Sequence, residues 1–192
     1  MYKRNTDPKS NSLKFKVYDL KNNKPITTFN LEDVLHIEKR EFMSKVYDGE
    51  FKQNKNYCVF FNYRAGWLFV YSNSKKEFIS KIQTIDKTPP PKAYFKDFGE
   101  GIRAVVNDPP HFIFLDAFLD NDNNFHLLCT VSNNKKSRYI DVYSVENSSY
   151  LYSIELPDLE DEQQATKIFK VKNTLIVYYS DQTIISYEIV NK

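Results

Sequence analysis

The stretch that decides the fold is Arg138-Tyr-Ile-Asp-Val-Tyr-Ser-Val-Glu146, which continues through Asn147-Ser-Ser149 into Tyr150-Leu-Tyr-Ser-Ile-Glu-Leu156. The two outer runs are rich in β-branched and aromatic residues, which favour strands. The polar residues between them are typical of a tight turn. The stretch therefore predicts a β-hairpin.

The same pattern occurs at two earlier places in the chain. When the segments are aligned on Tyr18, Tyr71 and Tyr143, an apolar residue follows each tyrosine after eight positions and again after eleven. These apolar residues are Ile26 and Phe29, Ile79 and Ile82, and Leu151 and Ile154. Tyr187 looks like the start of a fourth copy. A hairpin repeated along a chain indicates a repeat architecture.

Further strand-like runs precede the hairpins. They cover residues 56–62, 112–118, 125–132, 168–171 and 174–180. The repeating unit therefore has about four antiparallel strands with short connections, as in a blade of a β-propeller. Only residues 31–48 carry an imperfect helical stripe, and we favour a non-helical structure there.

The spacing of the tyrosines predicts insertions. Equivalent tyrosines are 53, 72 and 44 residues apart, whereas a four-stranded blade takes about 40–50 residues. We interpret residues 32–53 and the proline-rich residues 88–110 as inserted loops. The expected fold is all-β: a β-propeller domain over residues 13–192, preceded by a polar tail over residues 1–12. About three to four blades are accounted for, and we favour a fragment of a larger propeller. The alternatives are a further blade inside the 72-residue interval, or open blade edges that pair with another chain.

Composition excludes several classes of protein. The chain has 192 residues, of which 16% are aromatic, and a formal net charge of +2. This aromatic content argues against disorder, and no apolar run approaches the ~18 residues of a membrane-spanning helix. There is no basic stripe of the kind that binds nucleic acid. Only 4 glycines stand against 18 asparagines, and we expect asparagine to take the turn positions that glycine usually occupies.

Cysteine and histidine residues give no metal or disulfide pattern. Cys58 and Cys129 lie in apolar runs, so we expect both to be buried as free thiols. His36, His111 and His126 are far apart in sequence, without a second ligand at a short spacing. We therefore predict no metal site, no cofactor and no catalytic group.

The hairpin at residues 138–156 and the final run from Leu175 to Val190 resemble the blades of bacterial TolB-like or NHL-like six-bladed propellers. The resemblance covers most of residues 13–192 and is one of blade pattern, without a diagnostic functional motif. It implies an exported binding protein. The start of the chain, residues 1–8, lacks the apolar segment of a secretory signal, so we predict no cellular compartment from the residues themselves. If the chain is a fragment of a family member, the resemblance implies that the protein is exported.

Two segments are candidate sites. Asp120, Asp122 and Asn124 match the first half of a calcium-binding loop, but Phe125 and Val131 stand where glycine and a carboxylate are needed. We interpret this segment as an ordinary turn. The acidic run from Asp158 to Glu162 is interpreted as a solvated loop.

The second candidate is the long insertion at residues 88–111. Loops on a rigid scaffold are where binding residues collect, and this one contains Arg103, Asp108 and His111. The alternative is a mobile insertion without chemistry; if the chain has a ligand site, we predict that these three residues form it. Trp67 is able to stack on a sugar, but we expect it to fill the core between blades.

The sequence favours a non-enzymatic binding scaffold. Its rigid blades would present loops, chiefly residues 88–111, to a protein, peptide or glycan ligand. The alternative is a propeller hydrolase or lyase with a metal- or carboxylate-based site on the axis. A third interpretation is a β-sandwich that binds carbohydrate.

Overall fold

The computed structural model of the chain describes residues 2–5, 12–19, 21–37, 43–130, 138–157, 159 and 163–189. These residues form sixteen strands and two short helices. The strands are β1 (Tyr2–Asn5), β2 (Lys14–Asp19), β3 (Lys24–Asn30), β4 (Gly49–Gln53), β5 (Tyr57–Asn62), β6 (Trp67–Ser72), β7 (Glu77–Gln83), β8 (Lys92–Asp97), β9 (Arg103–Asp108), β10 (Phe114–Leu119), β11 (Asn124–Cys129), β12 (Arg138–Ser144), β13 (Ser149–Leu156), β14 (Ala165–Val171), β15 (Thr174–Tyr179) and β16 (Ile184–Glu188). The helices are α1 (Leu31–Leu35) and α2 (Met43–Val46). Among these residues, no helix has the length and apolar character needed to cross a membrane.

All the strand pairs are antiparallel, and strands that are neighbours in a sheet follow one another in the chain. We number the sheets in chain order. The first sheet is β1–β2–β3, the second β4–β5–β6–β7, the third β10–β11–β12–β13 and the fourth β14–β15–β16; β8 and β9 form a separate hairpin. The predicted all-β propeller fold with four-stranded antiparallel blades is confirmed. Two blades have four strands, and two have three within the described residues.

The sheets pack face to face in chain order. Phe60 and Phe61 are neighbours on β5, and successive side chains of a strand point to opposite faces. Phe60 packs with Phe15 of the first sheet, whereas Phe61 packs with Phe125 of the third sheet. Both faces of the second sheet are therefore buried, which explains its continuous apolar runs. This serial stacking differs from the two-layer packing of a β-sandwich.

The first strands of three sheets meet at one place. Strand β10 contacts β4 of the preceding sheet and β14 of the following one. Asp116 on β10 joins them: its Oδ1 lies 2.7 Å from Lys52 Nζ on β4, and its Oδ2 accepts a 3.0 Å hydrogen bond from the backbone N–H of Ile168 on β14. One buried carboxylate thus links three sheets.

The three predicted hairpins share a β-bulge. Tyr18, Tyr71 and Tyr143 each face the residue seven positions later, and the pairing shifts by one residue immediately before each tyrosine. The residues left out of the pairing are Ile26, Ile79 and Leu151. These residues, eight positions after each tyrosine, are exposed. The repeated apolar residue at this position therefore marks a bulge and is not part of the core.

The turn of each hairpin contains one residue with a left-handed backbone. Asn23, Lys76 and Ser148, each five positions after the tyrosine, have φ of 48°, 58° and 52°. Asparagine tolerates this conformation, as it also does at Asn123, where φ is 64°. The prediction that asparagine replaces glycine is correct at Asn23 and Asn123. Lysine and serine take the position in the other two hairpins.

A second repeated feature connects the turns of the blades. The carbonyl oxygens of Asn56, Asn123 and Asn173 accept hydrogen bonds of 2.9, 3.1 and 2.8 Å from the backbone N–H groups that follow β6, β12 and β16. Each asparagine stands in the turn between the first two strands of its sheet. Backbone polar groups at the ends of strands are satisfied in this way.

Three segments differ from the sequence prediction, and a fourth cannot be compared with it. The supposed insertion at residues 32–53 contains most of α1, the whole of α2 and the first strand of the second blade, so our non-helical interpretation of residues 31–48 was wrong. The supposed loop at residues 88–110 contains the hairpin β8–β9. Tyr2–Asn5, expected in a polar tail, forms β1 and pairs with β2. The acidic run lies outside the described residues, apart from Leu159.

Replacing Lys76 with glycine should stabilise the protein. A side chain in the left-handed conformation costs about 1–2 kcal/mol, which glycine avoids while losing more backbone entropy on folding. We expect Lys76→Gly to raise the free energy of unfolding by about 0.5–1 kcal/mol, measured by urea denaturation. Lys75→Gly, one position earlier, should lower it. Equal effects of the two substitutions would contradict the assignment.

Removing the Asp116 carboxylate should destabilise the protein. Asp116→Ala leaves the Ile168 N–H without its acceptor and leaves Lys52 with Glu50 as its ion-pair partner. We expect a loss of about 2–3 kcal/mol in the free energy of unfolding by urea denaturation. Asp122→Ala removes an exposed carboxylate from the following turn and serves as the control. A loss for Asp116→Ala no larger than that for the control would contradict the linking role.

Candidate functional site

The hairpin β8–β9 projects from the stacked sheets and carries the predicted ligand-binding residues. The strands pair from Lys92–Asp108 at the base to Asp97–Arg103 at the tip. The base is fixed to the scaffold, because Ala93 packs against the cluster between the first and second sheets. Asn107 Nδ2 donates a 3.3 Å hydrogen bond to the carbonyl of Lys45 on α2. The tip has no such contact with the sheets among the described interactions.

The three predicted ligand-binding residues are not brought together. Arg103 begins β9 at the tip, where its guanidinium lies 5.2 Å from the centre of the Phe95 ring. Asp108 ends β9 at the base, about 17 Å from Arg103 along the strand, and His111 follows the cis Asp108–Pro109 bond. All three are exposed. Their role in binding stays a prediction.

The hairpin carries instead a group of exposed apolar side chains, which we call the hairpin surface. Its members are Tyr94, Phe95, Phe98 and Ile102. Phe98 is 57% exposed and Ile102 60% exposed. Tyr94 and Phe95 are successive on β8 and point to opposite faces of the hairpin, whereas Phe98 and Ile102 lie together at the tip, where the Phe98 N–H donates a 2.9 Å hydrogen bond to the Ile102 carbonyl. Large exposed apolar side chains of this kind indicate an interaction site. Sequence reasoning chose the charged residues of this segment, although the run Lys92-Ala-Tyr-Phe-Lys96 has the aromatic content of a strand.

A second cluster lies between the third and fourth sheets. Asp120 follows β10, and its Oδ1 accepts hydrogen bonds from the backbone N–H groups of Asp122 and Asn124, at 3.0 and 2.9 Å. These bonds close the turn from β10 to β11, so the interpretation of this segment as a turn is confirmed. Among the described residues, no group of three or more His, Cys, Asp or Glu side chains is arranged to hold a metal ion.

The other oxygen of Asp120 faces the side chains of His126 and Lys170. Asp120 Oδ2 lies 3.0 Å from His126 Nε2 and 3.4 Å from Lys170 Nζ on β14. The His126 ring stacks on Phe118, with the ring centres 4.2 Å apart. Asp120 therefore ties the turn of the third sheet to the first strand of the fourth.

The environment of Asp120 shifts its pKa. Burial by itself raises the pKa of this carboxyl. The hydrogen bonds from His126 and from the Asn124 N–H, together with the charge of Lys170, outweigh burial and lower the pKa to about 2. The carboxylate thus stays ionised at neutral pH and holds its partners.

Two cavities lie on either side of this cluster. One, of about 400 Å³, extends towards Phe118 and Phe169. The other, of about 710 Å³, lies between β13 and β16. Asp120, Asp122, Lys170 and Asn173 border both cavities. Residues from the third and fourth sheets, far apart in sequence, form this border, and no local sequence pattern signals it.

The remaining candidate residues have structural surroundings. Cys58 and Cys129 are buried free thiols, as predicted, and burial raises the pKa of each. Trp67 packs partly against the cluster between the first and second sheets, with Lys81 Nζ 4.5 Å from its ring centre. His36 is the residue that ends α1, with a φ of 49°.

No family model matches the chain, and no curated protein matches its sequence. Among solved structures, Sqt1 of Saccharomyces cerevisiae is similar over 98% of this chain and 45% of that chain, with a TM-score of 0.52 and 10% identity. BamB of Moraxella catarrhalis covers 92% of this chain and 54% of its own, with a TM-score of 0.42 and 8% identity. The computationally designed Ika4 protein covers 73% of this chain and 89% of its own, with a TM-score of 0.34 and 13% identity. The chain spans about half the length of Sqt1 and BamB, and the similarity to Sqt1 is one of fold.

The pKa of Asp120 predicts a loss of stability in acid. The folded pKa of about 2 lies below the value near 3.9 expected in the unfolded chain. The stabilisation is therefore present above about pH 4 and is lost as the pH falls through about 2. We expect the difference in free energy of unfolding between the wild type and Asp120→Asn to shrink over this range, measured by urea denaturation. A difference that stays constant between pH 5 and pH 2 would contradict the assignment.

Proposed function

We propose that the protein is a binding scaffold, in which stacked blades hold the hairpin surface towards a protein partner. The observation that carries the proposal is the exposure of Phe98 and Ile102 at the tip of a hairpin whose base is fixed to the core. An isolated two-stranded hairpin is only marginally stable in water. Apolar side chains at its tip gain burial when a partner covers them, at about 25 cal/mol per Å².

Arg103, Asp108 and His111 take supporting roles in this proposal. Arg103 stands beside Phe95 at the tip, where it is placed to pair with an acidic group at the rim of the interface. Arginine and aromatic side chains are enriched in the energetically important parts of protein interfaces. Asp108 and His111 lie at the base, where only a partner that extends along the hairpin would reach them.

The geometry gives less support to the alternative of a hydrolase or lyase with an axial carboxylate. Asp116 is the buried carboxylate where the first strands meet, and both of its oxygens are engaged, by Lys52 and by the Ile168 N–H. A catalytic carboxylate needs an oxygen within hydrogen-bond reach of the substrate. We therefore assign Asp116 a structural role.

We also propose that this chain is part of a larger TolB-like or NHL-like six-bladed propeller of bacterial origin. The blade pattern of residues 138–156 and of the final strands supports this. Residues 13–192 would be its propeller portion, and an exported location would follow from the resemblance. The chain spans only 45% of the length of Sqt1, to which it is similar in fold.

The proposal is tested by site-specific cross-linking. A photoreactive p-benzoyl-phenylalanine at position 98 should form a discrete cross-linked product with a protein of the source cell, detected on a denaturing gel. The matched control is the same probe at position 171, where Val171 is 51% exposed on the fourth sheet. Arg103→Ala should lower the yield at position 98. No product at position 98, or the same product at both positions, would contradict the proposal.

A further inference from the structure

The outer edge of β9 has no strand partner within the part of the chain described here. Strands β8 and β9 form a sheet of two strands, so each pairs on one side only. Their ladder runs from Lys92–Asp108 to Asp97–Arg103 without a register shift. The outermost strands β3, β7 and β13 each carry a bulge, which protects a sheet edge from pairing with other chains. Strand β9 lacks this protection.

The hydrogen bond at the tip shows which backbone groups of β9 point away from β8. The Phe98 N–H donates a 2.9 Å hydrogen bond to the Ile102 carbonyl. In an antiparallel ladder, hydrogen-bonded pairs alternate with non-hydrogen-bonded pairs. Arg103 and Val105 therefore belong to non-hydrogen-bonded pairs, and their N–H and C=O groups point to the open side. An extended segment that adds as a further strand bonds to such groups.

The accessible part of this edge lies towards the tip. At the base, α2 contacts β9, and the Asn107 side chain donates its hydrogen bond to the Lys45 carbonyl. Towards the tip, Arg103 and Ala104 are exposed and Val105 is half-buried. The outward backbone groups of Arg103 and Val105 are therefore the part of the edge that a partner can reach.

The two edges of the hairpin differ in how well they are protected. Strand β8 follows the prolines of residues 89–91 and carries Lys92 and Lys96, both exposed. Prolines and lysines are the residues that natural proteins use to block an edge. The middle of β9, Ala104-Val-Val106, is uncharged and contains β-branched residues, which favour strand pairing. A partner strand is therefore expected on β9.

The side chains of β9 specify the chemistry of the added strand. Among the described interactions, Arg103 contacts the Phe95 ring and forms no ion pair. Asp97, opposite Arg103 in the ladder, accepts a 2.8 Å hydrogen bond from the Gly99 N–H. An acidic side chain opposite Arg103 on the added strand complements its charge. A β-branched side chain opposite Val105 forms a favourable cross-strand pair.

A second copy of this chain does not supply that pattern. Two copies of β9 related by a two-fold axis pair antiparallel, and their outward-pointing residues must face one another. In the register centred on Val105, Arg103 of one copy faces Asn107 of the second copy. No carboxylate then meets the guanidinium, and the base of one hairpin, where α2 lies, approaches the tip of the other. The structure therefore favours a segment of a different protein.

We propose that the partner of the hairpin surface adds an extended, acidic segment to the outer edge of β9 as a third strand. The segment carries an acidic side chain opposite Arg103 and a β-branched side chain opposite Val105. Three strands are more stable than an isolated hairpin in water, so the segment also orders the hairpin. This mode of binding rests on the function proposed above and specifies how the partner is held.

The test is an NMR titration of the isotope-labelled 192-residue chain with a short acetylated peptide. In this peptide threonine and valine alternate, and glutamate replaces the last valine. We expect saturable changes at the amides of Arg103 and Val105, and slower hydrogen exchange of their N–H groups. The same peptide with lysine in place of glutamate should bind about threefold more weakly, because it places a like charge opposite Arg103.

Two variants test the pairing of charges. Arg103→Gln should remove the preference for the glutamate peptide over the lysine peptide. Lys96→Gln removes the same charge from β8, on the residue that faces Ala104, and is the matched control that should keep the preference. Methylation of the peptide nitrogens that face β9 keeps the charge but removes hydrogen-bond donors, and should abolish binding. The amide spectra of both variants show whether they are folded.

Several outcomes would overturn the proposal. They are no saturable change at Arg103 and Val105, the same peptide preference in both variants, and undiminished binding of the methylated peptide. Changes at these amides that grow with protein concentration in the absence of peptide would assign the edge to a second copy. The cross-linking at position 98 is a separate measurement. A product there, without a response of Arg103 and Val105 to the peptide, would refute the added strand and leave the binding function in place.

Discussion

The contact between Asp116, Lys52 and the Ile168 backbone is the interaction on which the arrangement of the blades depends. Hydrophobic stacking alone lets neighbouring sheets slide, because apolar contact is not directional. A buried carboxylate that accepts one charged and one backbone hydrogen bond fixes the positions of both neighbours, since breaking either bond leaves a polar group unsatisfied. Asp116 thereby fixes the positions of the first strands of the second, third and fourth sheets relative to one another.

Much of the fold was predictable because the hairpins repeat the same order of apolar strand residues and polar turn residues. The tyrosine alignment identified the third and fourth strands of the second and third sheets, where apolar runs alternate with polar turns. Strand β4 was missed because its short sequence, Gly49-Glu-Phe-Lys-Gln53, alternates with charged residues and reads as a loop. The sequence also did not show that the apolar residue eight positions after each tyrosine is the extra residue of a bulge. A bulge depends on the pairing of two strands, which periodicity along one strand does not reveal.

The candidate sites were less predictable than the fold. The sequence pointed to the charged residues of 88–111, whose role in binding stays a prediction, and it did not single out the exposed apolar residues that the same segment carries. Arg103 and Asp108 look adjacent as part of one loop and stand at opposite ends of a strand in the structure. The cavity of about 710 Å³ takes its lining from residues of β13, β14 and β16. Its walls come together only after the third and fourth sheets stack, and long-range contacts of this kind leave no local pattern.

The bulge at Ile26, Ile79 and Leu151 also limits how readily the outermost strands β3, β7 and β13 pair with strands of other molecules. It leaves regular ladders of only four residues in β3 and β7 and five in β13. Steric zippers, the dry interfaces of amyloid fibrils, are built from segments of about six or seven residues. Each of these three strands therefore offers a regular ladder shorter than the segments that build a steric zipper.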